Sequence, residues 1–178
     1  TIYFADGRLI GHNTDIAGFE LSIRHCKYNA NKKKALIIGA GGVVPSIIVA
    51  LKKMNIEKIF VKNRSENNAL NLKKKFPEIN LIDWNKTIDV DMIINATSIG
   101  LKKGEKLDID LKKFGENKFF YDVIYNPKET NFLLDARKLG NLAENGKMMF
   151  IYQAHQAFSV WHKIFPVIDD EVIGIVEK

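Results

Sequence analysis

The chain has 178 residues, of which 46% are hydrophobic and 27% charged, and its formal net charge is +6. A chain of this size and balance buries a core without disulfides or metals, which excludes disordered, collagen-like and disulfide-rich classes. The longest apolar runs are far shorter than the roughly 20 residues of a membrane span, so we expect no membrane partner. The single cysteine, Cys26, rules out an internal disulfide and favours a reducing compartment, here the cytoplasm. Because the sequence begins with Thr1 rather than methionine, we expect a fragment or a processed product.

Although the chain is basic, the distribution of its lysines predicts no nucleic-acid partner. Lysines occur in short clusters at the ends of predicted elements and do not alternate with aromatic residues. Neither a continuous basic stripe nor a stacking platform for bases is present. A small polyanionic ligand remains compatible with the charge.

The first part of the chain predicts a hairpin over residues 1–10, with Asp6-Gly7 as its turn. A helix follows from Asp15 to about Lys27, and either Asn13 or Thr14 caps it. From about residue 33, short apolar runs alternate with helical stretches. Strands are predicted at 35–38, 59–61, 81–82, 92–94, 119–123 and around 142–143, and helices at 43–54, 66–76, 132–139 and 151–165. This alternation is typical of an α/β protein with a doubly wound parallel sheet, and the two outer helices are candidate hinges to another domain.

A glycine loop, Gly39-Ala40-Gly41-Gly42, follows the first buried strand directly and opens a helix. Glycines allow a tight turn and a close approach of the backbone to a pyrophosphate, and the helix N-terminus favours negative charge. Val44 stands where the usual pattern has a third glycine, so the match is incomplete. The placement predicts a dinucleotide site; the alternative is a glycine turn without a ligand.

Arg64 follows the second strand of the predicted sheet, 23 residues after Gly41. An NAD site places a carboxylate near this point, and residues 62–65 contain none. A planar guanidinium instead suits a ribose 2′-phosphate. We therefore expect NADP rather than NAD, unless Arg64 is simply a surface residue.

Further polar residues follow the later strands, at the edge where ligands of such sheets gather. Thr97 and Ser98 could contact ribose or nicotinamide, or could form a capped turn. Asp15 could be a catalytic carboxylate, or a favourable charge at a helix start. The four histidines show no metal-ligand spacing, so we expect no metal.

Taken together, these motifs resemble the shikimate dehydrogenase family, in the same order and over nearly the whole chain. The matching residues are Gly11-His12-Asn13-Thr14-Asp15 with Gly18, Gly39-Ala40-Gly41-Gly42, Asn63-Arg64-Ser65, Asn95-Ala96-Thr97-Ser98 with Gly100, Tyr121-Asp122-Val123-Ile124-Tyr125-Asn126-Pro127 with Thr130, Asn145-Gly146, and Gln153 with Ala157, Phe158 and Trp161.

The resemblance implies a Rossmann-like fold and an NADP-dependent oxidoreductase that interconverts 3-dehydroshikimate and shikimate, in aromatic amino acid and chorismate biosynthesis. It implies that Asp15 belongs to a catalytic Lys–Asp pair, and that Thr14, Asp15, Tyr125 and Gln153 face the substrate. It also implies a cofactor site lined by Gly39, Ala40, Gly41, Gly42, Val43, Asn63, Arg64, Ser65, Thr97, Ser98, Val123, Gly146 and Met149.

By the same resemblance, residues 1–30 are the end of an N-terminal substrate domain with its hinge helix. Residues 31–150 are the NADP-binding domain, and residues 151–178 are a returning helix and tail. The family's catalytic lysine and its substrate-binding serines lie in an upstream segment absent from this sequence, so we expect the chain alone to be inactive. Val43, Val44 and Pro45 replace the smaller residues common in the family.

Two alternatives stay open from the sequence: a dehydrogenase for quinate or a related cyclic polyol, and a non-catalytic NADP-binding module. The oligomeric state is also open, with a homodimer among the assemblies considered.

Overall fold

A computed structural model describes residues 1–176. In this range the strands are β1 (Ile2–Ala5), β2 (Arg8–Gly11), β3 (Lys34–Ile38), β4 (Lys58–Lys62), β5 (Asn80–Leu81), β6 (Met92–Asn95), β7 (Phe119–Asp122) and β8 (Leu142–Glu144). The helices are α1 (Asp15–His25), α2 (Val44–Lys53), α3 (Glu66–Lys75), α4 (Asn131–Lys138), α5 (Lys147–His162) and α6 (Asp170–Ile175), with a 3₁₀ turn at Leu111–Phe114.

The main sheet contains six parallel strands in the order β5-β4-β3-β6-β7-β8. Strand order reverses between β3 and β6, which makes the crevice between these two strands the switch point where ligands of such sheets bind. The last residues of four strands, Lys62, Ile38, Asn95 and Asp122, lie side by side in register. The prediction of a doubly wound parallel sheet is confirmed.

Helices cover both faces of this sheet. On one face, α1, α2 and α5 contribute Phe19, Ile47 and Met149 to a core that also contains alternate residues of the central strands. On the other face, Phe132 of α4 and Phe114 of the 3₁₀ turn pack against Phe120 of β7. Both faces are buried because the strands are continuous apolar runs, as parallel strands between helical layers usually are.

Two helices of the described chain differ from the prediction. α5 begins at Lys147, four residues before the predicted Ile151, and ends at His162 rather than near Phe165. Its N-cap is Gly146, and the Asn145 side chain accepts a hydrogen bond from the Lys147 N–H, so the helix starts without a Ser, Thr or Asp cap. Lys163 ends it by adopting a left-handed conformation, before Pro166 is reached.

The short helix α6 was not predicted from the sequence. The Asp169 side chain caps it by accepting from the Val172 N–H at 3.0 Å. Among the helices of residues 1–176, none combines the length and apolar character that a membrane span requires.

The two helices predicted as hinges, α1 and α5, pack directly against each other. A Cβ at Gly18 of α1 would lie 2.8 Å from the Met149 carbonyl oxygen and 2.9 Å from the Gln153 Cβ. Only glycine fits at this crossing, which explains Gly18 in physical terms.

Candidate functional site

The glycine loop lies at the switch point and is held there by its neighbours. Gly39 has φ +118°, and a Cβ on it would lie 2.7 Å from the carbonyl oxygen of Ala96, which follows β6. Its N–H donates to the Lys62 carbonyl at 2.9 Å. Both the backbone angle and the close approach require glycine at position 39.

The loop leads straight into α2. Gly41 and Gly42 are exposed, and a Cβ on Gly42 would meet nothing within 4 Å, so the space over the loop is open. Val43 is the N-cap, and Pro45 lies in the first turn, where a missing N–H costs little. The free N–H groups and partial positive charge of the helix start therefore face open space, an arrangement that suits a pyrophosphate.

Arg64 is exposed beyond the end of β4. Its guanidinium makes no hydrogen bond or ion pair with any of residues 1–176. The neighbouring Asn63 side chain donates to the Ser65 carbonyl at 2.7 Å and shapes the turn, and Ser65 is the N-cap of α3. The structure thus places Asn63, Arg64 and Ser65 at the strand end adjacent to the glycine loop, with the guanidinium available to a ligand.

Lys62, the last residue of β4, is buried, with 2% of its surface exposed. Its Nζ donates to the Lys86 carbonyl and holds the chain that crosses from β5 to β6. Burial lowers the pKa of Lys62 below its usual 10.5, although the nearby Asp83 partly opposes this. This buried lysine was not singled out from the sequence.

Asp122 is the centre of a buried polar network at the ends of β6 and β7. Its carboxylate accepts from Asn95 Nδ2 at 3.1 Å, from the Ile124 N–H at 3.1 Å and from Thr130 Oγ1 at 2.7 Å. Burial raises the pKa of Asp122, while these hydrogen bonds act in the opposite direction. The network fixes the loops that follow both strands.

Thr97 lies in the capped turn that was one of the two possibilities from the sequence. Its hydroxyl donates to Asn95 Oδ1 at 2.7 Å and accepts from the Ile99 N–H at 3.1 Å. Ser98 beside it is exposed. The turn brings both residues to the crevice, and their contact with a cofactor stays a prediction.

Gly146 and Val123 meet on the other side of the crevice. A Cβ on Gly146 would lie 2.1 Å from the Val123 carbonyl oxygen, and the Gly146 N–H donates to the Ile124 carbonyl at 3.1 Å. Met149 is buried and packs in the core, with 7% of its surface exposed. Tyr125 is exposed, and its ring stacks on Phe150 with 4.6 Å between ring centroids.

A cavity of about 520 Å³ lies at the start of α1 and is lined by His12, Asn13, Thr14, Asp15 and Gln153, among others. Thr14 is buried, and its hydroxyl is 3.5 Å from Gln153 Oε1. The structure therefore brings together three of the four residues assigned to the substrate: Thr14, Asp15 and Gln153. The carboxylate of Asp15 has no hydrogen-bond or ion-pair partner in the described part of the chain.

Asn13, rather than Thr14, caps α1 with its side chain. Asn13 Oδ1 accepts from the Asp15 N–H at 3.0 Å, whereas the Thr14 side chain makes no capping bond. Asn13 Nδ2 also donates to Ser46 Oγ in α2 at 3.0 Å. The segment that carries Asp15 is thus joined to the helix that follows the glycine loop.

A second cavity, of about 270 Å³, lies beside the glycine loop. Gly41, Gly42 and Pro45 line one side of it, and polar residues of α3 line the other. The α3 residues were missed from the sequence because a polar helix face is normally a solvated one. Residues 1–176 contain no group of three or more His, Cys, Asp or Glu side chains that could hold a metal ion.

Comparison with known proteins agrees with these features. The family model described as shikimate / quinate 5-dehydrogenase matches residues 20–128. A shikimate dehydrogenase (NADP(+)) from Pelagibacter ubique is 59% identical over 177 residues, which are 99% of this chain and 67% of that protein.

Two solved structures are similar over 99% of this chain, each at 28% identity. A shikimate 5-dehydrogenase from Thermus thermophilus, in complex with NADP(H) and shikimate, has a TM-score of 0.86. A ligand-free 5-ketofructose reductase of Gluconobacter has a TM-score of 0.83. The chain covers 66% of each.

The chain thus spans about two thirds of the length of its curated relatives, from 60% to 67% in the first three. A family match over more than half of the chain, together with a relative of 59% identity, establishes membership. The chain belongs to the shikimate / quinate 5-dehydrogenase family.

Proposed function

We propose that this chain is the NADP-binding part of an NADP-dependent shikimate dehydrogenase, which interconverts 3-dehydroshikimate and shikimate in aromatic amino acid and chorismate biosynthesis. The observation that carries the proposal is the pairing of the glycine loop with Arg64. The turn at Gly39 leaves no room for a Cβ, and it follows the strand next to the one that Arg64 follows. The Arg64 guanidinium has no hydrogen-bond or ion-pair partner within residues 1–176. A phosphorylated dinucleotide supplies the negative charges that both features suit.

The residues present fit NADP. The backbone of the loop would hold the pyrophosphate, the turn after β4 would hold the adenosine 2′-phosphate, and the loops after β6, β7 and β8 would line the nicotinamide end. When bound, NADP supplies hydride transfer at its nicotinamide C4. The proposed contacts are Gly39, Ala40, Gly41, Gly42 and Val43; Asn63, Arg64 and Ser65; and Thr97, Ser98, Val123, Gly146 and Met149.

Asp15 is the proposed catalytic carboxylate. Converting a secondary alcohol to a ketone removes a proton from the hydroxyl, and a carboxylate paired with a lysine can take part in that transfer. Asp15 lines the cavity with its carboxylate unpaired in the described chain, which supports this role. In the proposal, the lysine comes from the part of the relatives that this chain does not match.

Thr14, Tyr125 and Gln153 are the proposed substrate contacts. Thr14 and Gln153 line the same cavity as Asp15. Tyr125 lies across the crevice on the loop after β7, where its exposed ring rests on Phe150. Together they would orient the ring of a polyhydroxylated acid against the nicotinamide.

We also propose the division into domains that the resemblance implies. Residues 1–30 would belong to the substrate domain and its hinge, 31–150 to the NADP-binding domain, and 151–178 to the returning helix and tail. The direct packing of α1 on α5 supports a hinge made of both helices. For the complete protein we propose a cytoplasmic location, in line with the free Cys26, and a homodimer.

A second candidate function is reduction of a different cyclic or linear polyol ketone. It is favoured by the similarity in fold and sequence to a protein named 5-ketofructose reductase. A third is a non-catalytic NADP-binding module. Turnover of shikimate, quinate and 5-ketofructose by the complete protein separates the first two, and absence of turnover with all three favours the third.

Calorimetric titration of the folded 178-residue chain with NADP and NAD tests the proposal directly. Because only NADP carries the 2′-phosphate, we expect it to bind with roughly tenfold or greater preference over NAD. A folded chain that releases no heat with millimolar NADP contradicts the proposal.

Asp15→Asn in the complete protein tests the catalytic role. Because the amide keeps the shape but cannot take the proton, we expect turnover to fall by roughly 10² to 10⁴-fold. NADP affinity should stay close to that of the parent protein, since Asp15 lies outside the cofactor contacts. Asp6→Asn, in the exposed hairpin turn, is the matched control, and unchanged turnover in Asp15→Asn rules out the role.

A further inference from the structure

A buried serine of α2 is hydrogen-bonded to the segment that carries Asp15. Ser46 lies in the first turn of α2, with 3% of its surface exposed. Its Oγ accepts from Asn13 Nδ2 at 3.0 Å, and its hydroxyl donates to Asn13 Oδ1 at the longer distance of 3.4 Å. Within residues 1–176, no other side-chain hydrogen bond joins residues 11–16 to α2. The Asn13–Ser46 pair is therefore the polar link between the starts of the two helices.

The hydroxyl of Ser46 is used differently from those of the other buried serines in the described helices. A serine in a helix can donate to a carbonyl about one turn earlier in the same helix. Ser22 in α1 donates in this way to the Phe19 carbonyl at 2.8 Å. Ser159 in α5 donates to the His155 carbonyl, also at 2.8 Å. Ser46 makes no such bond in the described chain, so its hydroxyl is committed to a partner outside its own helix.

The Asn13 amide connects this serine to the backbone at Asp15. While its Nδ2 donates to Ser46, its Oδ1 accepts from the Asp15 N–H at 3.0 Å and from the Ile16 N–H at 3.4 Å. Asp15 and Ile16 are the first two residues of α1. Because the two ends of a side-chain amide rotate together, the orientation of Asn13 that caps α1 is the one that Ser46 holds.

The other end of this link lies beside the proposed pyrophosphate site. Gly42, the last glycine of the loop, is four residues before Ser46. Farther along the two helices, Phe19 of α1 and Ile47 of α2 belong to the same buried core. Apolar packing is non-directional, whereas a hydrogen bond fixes an orientation. The Asn13–Ser46 pair therefore sets the orientation of the Asp15 segment relative to the helix that follows the glycine loop.

We propose that Ser46 is a positioning residue for the reaction, which acts through Asn13 to fix the Asp15 carboxylate relative to the dinucleotide held at the start of α2. This inference rests on the proposed function, because it takes Asp15 as the catalytic carboxylate and NADP as the cofactor. Oxidation of a secondary alcohol removes a proton from the oxygen and a hydride from the neighbouring carbon. The groups that receive them must therefore be aligned on one substrate, and a small displacement of either lowers turnover.

Ser46→Ala in the complete protein tests the inference by steady-state kinetics with shikimate and NADP. Alanine is the residue best suited to a helix, so the variant should fold. We expect kcat to fall by roughly 3 to 10-fold, because one directional bond that places Asp15 is lost. The KM for NADP should stay within about twofold of the parent value, since Ser46 itself is not a proposed cofactor contact.

Ser22→Ala is the matched control, because it also removes a buried serine hydroxyl that links two elements. Ser22 Oγ lies 3.0 Å from Tyr121 Oη, about two turns further along α1 than Asp15. A general loss of stability would lower turnover in both serine variants. We expect Ser22→Ala to keep the parent kcat.

Amide hydrogen exchange of the ligand-free complete protein gives a readout that does not depend on turnover. The Asp15 N–H is protected by its bond to Asn13 Oδ1. In Ser46→Ala the Asn13 amide is no longer held at its other end, so we expect the Asp15 N–H to exchange roughly 3 to 10-fold faster. The Gly18 N–H, which donates to the Thr14 carbonyl at 2.9 Å, should exchange at the parent rate.

The double variant Asn13→Ala/Ser46→Ala completes a cycle with the two single variants. Because both residues act through one bond, the double variant should turn over no more slowly than Asn13→Ala alone. The inference is overturned, while the proposed function stands, by any of four results: additive losses, parental kcat in Ser46→Ala, equal losses in Ser46→Ala and Ser22→Ala, or unchanged exchange at Asp15. A parent protein that folds but does not turn over shikimate overturns the proposed function itself.

Discussion

Two groups of polar side chains lie along the carboxyl edge of the sheet, and they differ in burial and in hydrogen bonding. In the first, Asp122, Asn95 and Thr130 are buried and bonded to one another and to nearby backbone. In the second, Arg64 and Ser98 are exposed, and their side chains form no hydrogen bond within the described chain. Both groups belong to motifs of the family or lie beside them. The difference indicates that the first group maintains the architecture and that the second is available to a ligand.

The largest effect that would test this comparison is loss of stability on removing Asp122. Asp122→Ala removes the acceptor of the buried Ile124 N–H and Thr130 hydroxyl, and it removes one of the two acceptors of the Asn95 amide. We expect the free energy of unfolding to fall by about 3 kcal/mol, measured by urea denaturation at neutral pH. Asp108→Ala, at an exposed aspartate, should change it by less than about 0.5 kcal/mol. A loss below about 1 kcal/mol for Asp122→Ala would show that the network is not structural.

Arg64→Ala should show the opposite pattern, with a binding defect and intact stability. Because a charge-assisted contact to phosphate is lost, we expect NADP affinity to fall by roughly 10 to 50-fold. NAD has no 2′-phosphate, so its affinity should change by less than about threefold. Calorimetry on the folded variant measures both, and Arg24→Ala, whose side chain pairs with Glu20 on α1, is the control. An equal loss of NADP and NAD affinity would mean that Arg64 supports the fold of the site and does not contact the 2′-phosphate.

Lys62 gives the smallest effect but the most discriminating one, because it is the last residue of β4, two residues before Arg64, yet it is buried and hydrogen-bonded. Since burial lowers its pKa below 10.5, the unfolded chain binds more protons in the interval between the two pKa values. The native protein therefore gains stability as the pH rises through that interval.

Lys62→Met removes both the buried charge and its pH dependence. We expect a gain of up to about 1 kcal/mol in unfolding free energy at neutral pH. This gain should shrink as the pH approaches 10.5, the ordinary pKa of the lysine. Thermal unfolding at several pH values measures it, with Lys58→Met, at the exposed start of β4, as control. A destabilised Lys62→Met variant would mean that the hydrogen bond to the Lys86 carbonyl outweighs the cost of burial.

The sequence alone predicted the sheet well, because its signals are local. Continuous apolar runs such as 35–38 followed by glycines specify buried parallel strands and the turn after them. The start of α5 was missed because its N-cap, Gly146, has no side chain to accept a capping hydrogen bond, and the Asn145 side chain supports the first turn from one position earlier. α6 was missed because six residues are too few for a periodic pattern.

The functional site was predicted only in part from the sequence. Arg64 and the glycine loop are recognisable because each follows a strand at a fixed spacing. Whether Thr97 is a turn or a contact, and whether Asn13 or Thr14 caps α1, depends on hydrogen-bond geometry that spacing does not contain. The α3 residues beside the glycine loop were overlooked because α3 meets that loop only through the tertiary fold.

The contact at Gly18 has a mechanical consequence. With no side chain between them, the backbones of α1 and α5 touch, and neither helix can slide without displacing the other. Thr14 at the head of one helix and Gln153 within the other therefore keep a constant separation whatever happens to the surrounding loops. The main chain thus holds the two groups as one pair of hydrogen-bonding atoms in the wall of the cavity that Asp15 also lines.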